Sequence, residues 1–129
     1  IINSIFFLFP IETAHLTMDY IETALKKYGD FHFINRVEVN LRLNYSLMLM
    51  KESLEEKALQ QLNIALPLVQ NYKFSVQMGI LYIRMGICYK NLKIPTELDY
   101  IKKGITILEV LEETEVLVGM TNEINSYLN

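Results

Sequence analysis

Three stretches of the chain repeat one pattern of apolar, small and polar positions. Residues 17–25, 58–66 and 97–105 align with one another, at a period of roughly 40 residues. Met18, Leu59 and Leu98 share the first slot, and Ile21, Leu62 and Ile101 the second. Ala24, Ala65 and Gly104 share a small slot, followed by Leu25, Leu66 and Ile105. Spacing of i, i+3, i+6 and i+7 marks one face of a helix, because a strand would alternate. The small residue at a fixed place lets a neighbouring helix come close. The intervening stretches match as well: Asn44 to Leu49 precedes Arg84 to Tyr89 by one period, with Ser46 and Gly86 small in the same slot. A period of this length signals helix pairs that stack on one another. The pattern predicts first helices over 31–51 and 72–92 and second helices over 13–27, 54–70 and 96–111. A capping helix covers 115–128. The chain, 1–129, reads as one repeat domain, with repeats at about 1–28, 31–70 and 72–111.

Local signals mark the boundaries. Ser53-Leu54-Glu55-Glu56 reads as a capping box, in which the Ser oxygen takes an orphan amide and the Glu reaches back. Gly29-Asp30 ends one helix and begins the next. Pro95 suits the first turn of a helix, where its missing N–H is harmless. Thr114 is an N-cap, with Glu115 just inside the positive end of the helix dipole. Pro67 falls within a predicted helix and is expected to kink or shorten it.

Composition agrees with long helices and one core. The 129 residues are 51% hydrophobic, with 5 Gly and 3 Pro, so few residues are set aside for turns. The net charge is −3 and no basic stripe is present, which makes this segment by itself a poor binder of nucleic acid. The single cysteine, Cys88, has no internal disulfide partner and apolar neighbours, which points to a buried thiol and a reducing cytoplasm. Ile1 to Pro10 is apolar but too short to span a bilayer, and it has neither a basic flank nor a cleavage site. With no initiator Met, the chain is expected to begin inside a helix of a longer protein.

No catalytic or metal-binding constellation is visible. His15 and His32 lie well apart in the sequence, and no His-x-x-x-His or Cys pair accompanies them. No phosphate-binding loop and no nucleophile elbow occurs. Glu55-Glu56 and Glu112-Glu113 lie at helix ends, Lys102-Lys103 on a wet face, and Glu22 with Lys26 forms an i,i+4 pair. Met48, Met50, Met78 and Met85 read mainly as core. The chain is therefore expected to be no enzyme and to need no cofactor.

The small-x-x-x-apolar-x-x-small-apolar arrangement of Ala58, Leu62, Ala65 and Leu66 resembles the second helix of a tetratricopeptide repeat (TPR). Ser46 and Gly86 fit the small position of its first helix, and Tyr89 an aromatic three residues later. Residue 49 is Leu, and the period is longer than that family's. Longer, degenerate repeats of this kind resemble the C-terminal domains of peptide-sensing transcription regulators of Gram-positive bacteria, the Rgg/MutR type and its PlcR-like relatives. The stretch from Asn44 through Leu108 carries the resemblance, and 115–128 is similar to their capping helix.

That resemblance implies an all-α, right-handed superhelix of antiparallel helix pairs. It implies a homodimer that senses a short hydrophobic signalling peptide, as in quorum sensing. DNA would be reached only through a domain absent from this chain, and no membrane would be involved. First helices would line the concave groove. The groove residues are then Asn40, Leu43, Asn44, Leu47 and Lys51 from one helix and Ile80, Ile83, Arg84, Ile87 and Asn91 from the next. The slot of Asn44 falls on Asn3 in the first repeat. Asn offers a donor and an acceptor to an extended backbone, Arg or Lys takes a carboxylate, and Leu and Ile form apolar pockets. The alternative is a generic TPR-like scaffold that holds a segment of a partner protein and has no DNA-binding domain.

Overall fold

A computed structural model of the chain describes residues 11–28 and 32–128. They form six helices, with no strand among the described residues: α1 (Ile11–Tyr28), α2 (His32–Lys51), α3 (Glu55–Tyr72), α4 (Ser75–Asn91), α5 (Tyr100–Val110) and α6 (Thr114–Leu128). Each overlaps a helix that the hydrophobic pattern predicts. The apolar start at Ile1 to Pro10, the Asn3 slot and the Gly29-Asp30 boundary lie outside the described residues.

Four junctions close in the same way. Ser53, Lys73, Lys93 and Glu112 all hold φ near 58°, in the left-handed region, although none is glycine. They recur at half the repeat period, one at the end of each helix from α2 to α5. After each, the next amide donates to the carbonyl five residues back: Leu54 to Leu49, Phe74 to Val69, Ile94 to Tyr89 and Glu113 to Leu108, at 2.9–3.1 Å. This is the bond of a Schellman closure, which satisfies the last carbonyls of a helix. In three of the four an apolar residue follows the left-handed one, and Phe74 is buried there.

These closures overturn part of the boundary reading. Ser53 ends α2 in a left-handed conformation, so it cannot take the extended conformation that an N-cap requires. Leu54 stands at the cap of α3 with no side-chain bond, and the capping box does not form. Pro95 lies in the 92–99 connection and not in a helix, because α5 starts only after Asp99. The Asp99 carboxylate accepts from the Lys102 amide at 3.0 Å and fixes that start. Leu98, placed on the apolar face by the alignment, is therefore outside the helix and 51% exposed. Thr114 is already helical; the Glu113 carbonyl accepts the first bond of α6, from Leu117. Pro67 neither ends nor shortens α3, which continues past it to Tyr72. Pro67 and Asn63, whose carbonyl loses its helical partner, are both exposed, where water can replace the bond.

Successive helices pack on each other along the chain, most extensively α4 on α5 and α2 on α3. Between alternate helices, α2 touches α4 and α4 touches α6, so these three form one row. Small residues set the spacing between neighbours. A Cβ on Gly86 would lie 2.5 Å from Ile101 Cγ1, and one on Gly104 would lie 2.6 Å from Ile83 Cγ1 and run into the Gly79 carbonyl oxygen. Ser46, Ala58 and Ala65 are fully buried. Ala24 is exposed, since the principal neighbour of α1 among the described helices is α2.

The core takes in Val39, Leu41, Leu49, Leu62, Leu81, Met85 and Leu108. One buried charge joins the first three helices. Arg42 Nη1 donates to Glu22 on α1 at 2.9 Å and to Gln61 on α3 at 2.6 Å, while Nε donates to Glu38 at 2.9 Å. A guanidinium is kept in a dry site only when paired in this way. Glu22, expected to pair with Lys26, reaches Arg42. His15 on α1 hydrogen-bonds the Tyr45 hydroxyl on α2, and its ring meets the Tyr45 ring edge-on.

Candidate functional site

The row α2–α4–α6 holds all ten residues that the sequence marks as a groove. Five of them, Asn40, Leu43, Asn44, Ile80 and Arg84, line a single concavity of about 140 Å³ between α2 and α4. The helical period explains the grouping: residues 40, 43 and 44 share one face of α2, and residues 80 and 84 share one face of α4. Asn40, Asn44 and Ile80 are half-buried, with part of each side chain still reachable from solvent. The other five do not join this concavity. Ile83 and Ile87 are fully buried and act as core, Leu47 is half-buried, and Lys51 and Asn91 are exposed at the ends of their helices.

Arg84 is the charged member of the lining. Its Nε and Nη2 bond the two oxygens of the Glu123 carboxylate on α6, at 2.9 and 3.0 Å. Its Nη1 donates to the Leu43 carbonyl on α2 at 2.7 Å. The paired side chains are 8% and 11% exposed. One guanidinium thus ties all three helices of the row together, and two parallel bonds to one carboxylate are the strong form of that pairing. The sequence marks Arg84 as a carboxylate ligand, and the carboxylate it holds here comes from its own chain.

The surroundings are dry. Burial pushes the Cys88 thiol up to about 12, with the Glu55 charge adding to the shift and Arg84 opposing it. At neutral pH the thiol is protonated and buried, the unreactive state of a cysteine. Burial also raises the Tyr127 hydroxyl, with the Glu123 charge acting in the same direction. Among the described residues no group of three His, Cys, Asp or Glu could hold a metal ion. Nor, among them, is any helix long and apolar enough to cross a membrane.

Two polar residues of this region carry no mark in the sequence reading. Glu123 follows Arg84 by one period, which places it in the slot of Asn44 and Arg84. Its position in the capping helix, outside the aligned repeats, conceals that equivalence. Gln77 Nε2 donates to Asn40 Oδ1 at 3.4 Å across the cleft. Gln77 falls short of a full period after Asn40, and no pattern marks it. The chain matches no family model, and no curated protein or solved structure is detectably similar to it.

Proposed function

We propose that this chain is the regulatory domain of a cytoplasmic transcription regulator, one that holds a short hydrophobic signalling peptide in the groove between α2 and α4. The six helices are read as a TPR-like right-handed superhelix of antiparallel pairs, with α2, α4 and α6 on the concave side. What carries the reading is one juxtaposition: two Asn amides and two apolar side chains around a half-open cleft. Amides pair with the N–H and C=O of an extended peptide whatever its sequence, and Leu43 and Ile80 receive its apolar side chains.

The domain dimerises, and DNA is contacted through a domain outside this chain. Val110, Leu111 and Val118 around the α5–α6 turn, with Leu16 and Tyr20 on α1, leave apolar surface for a second copy. Peptide binding shifts the packing of the protomers by as much as the peptide's affinity differs between the two arrangements.

The test is a thermal-shift screen of the chain against short hydrophobic peptides, with an Asn40→Ala/Asn44→Ala variant alongside. These two residues are chosen because Arg84 also holds the row together. The expected result is a peptide that raises the melting temperature of the natural chain and not of the variant. A shift that survives in the variant would place the peptide elsewhere. No shift with any peptide would move the assignment to a scaffold for a folded partner.

A further inference from the structure

The guanidinium in the cleft is occupied on two of its nitrogens by the Glu123 carboxylate and on the third by a backbone carbonyl. Any carboxylate presents the same pair of oxygens in the same plane, so it can take the place of Glu123 bond for bond. Exchanging one carboxylate for another leaves the buried guanidinium paired, and no uncompensated charge is created.

What the exchange does cost is the polar part of the docking of α6, whose apolar contacts are mostly partial. Met120 is the one fully buried residue among its fifteen, and Val116, Leu117, Ile124, Tyr127 and Leu128 are partly buried against the core. Val118 is 57% exposed, and a Cβ on Gly119 would meet nothing within 4 Å. Among the described residues, the ion pair that ties α6 to the row is Glu123 with Arg84.

Resting on the groove reading, we propose that Glu123 occupies Arg84 in place of a ligand carboxylate, and that a peptide bearing a carboxylate displaces it and loosens α6 on α4. Glu123 then acts as a built-in competitor, and α6 is the element through which occupancy of the cleft is reported. The carboxylate is either the peptide's C-terminus or an Asp or Glu side chain; both present the same chemistry to Arg84.

The experiment uses the whole chain and heptapeptides of Leu, Ile, Val and Phe, each made as the free acid, as the C-terminal amide, and as the amide with one internal Asp. Affinity is measured together with amide hydrogen exchange over residues 114–128. The expected result is faster exchange in α6 with the free acid, and about tenfold weaker binding of the plain amide, a difference of about 1.4 kcal/mol. Recovery with the Asp-bearing amide would identify a side chain as a sufficient source. Glu123→Gln should tighten the free acid by about tenfold, since the competitor loses its charge. The exchange measurement on the natural chain decides the matter by itself if that variant folds poorly. Free acid and amide binding equally, or α6 protection unchanged by a bound free acid, would overturn the competition and leave the groove standing. Binding of none of the peptides would overturn both.

Discussion

Lys73 and Lys93 hold φ near 58° with exposed side chains, as do Ser53 and Glu112. A non-glycine residue in that region carries about 1–2 kcal/mol of Cβ–carbonyl crowding. Glycine removes the crowding but loses more chain entropy on folding, about 0.5–1 kcal/mol. Lys73→Gly and Lys93→Gly should therefore each raise stability, by roughly 0.5 kcal/mol, read as a shift in the urea midpoint at unchanged slope. A fall at both positions would mean that the lysines contribute contacts outweighing the strain. These positions are invisible in the sequence because the usual mark of such a closure is glycine, and none of the four has it. Arg84 is legible as a polar residue in a repeated slot. Its partner is not, since only packing brings α6 back against α4.

At the scale of helices, glycine has opposite meanings at two places. Gly104 faces Gly79 and Ile83 with no room for a methyl group, while Gly119 faces open space. Gly104→Ala forces α5 away from α4 and should destabilise by about 1–3 kcal/mol, as overpacked cores do. Gly119→Ala fills nothing and removes backbone freedom from a helix interior, and should stabilise by about 0.8–1 kcal/mol. Chemical denaturation of the two variants checks both signs. The helices themselves are readable because apolar and small residues recur with helical spacing, and Leu62, Ala65 and Gly104 are buried where that spacing puts them. The alignment fails at Leu98, where the Asp99 cap starts α5 later than the repeat implies. It fails at Ser53, where closure of the preceding helix prevails over capping of the following one. In both cases hydrogen bonds to the backbone groups at a helix end decide the boundary, and side-chain periodicity does not report them.

Across the whole molecule, the ten proposed groove residues divide by depth. Ile83 and Ile87 belong to the core, Lys51 and Asn91 to the surface, Leu47 is half-buried outside the cleft, and Asn40, Leu43, Asn44, Ile80 and Arg84 come together in the cleft. Periodicity says which residues share a face of the row. The depth of those on α4 depends on the closeness of α5 to α4, and hence on Gly79, Gly86 and Gly104 meeting their neighbours. Arg42 and Arg84, both buried, then tie helices together through ion pairs that no single helix contains. On the proposed function a peptide lies between α2 and α4. Photo-crosslinking tests it most directly, using a hydrophobic peptide with a photoreactive residue and mapping the adducts. Adducts confined to residues 40–47 and 77–84 are predicted; adducts on the exposed faces of α1, α3 or α5, or none at all, would contradict it.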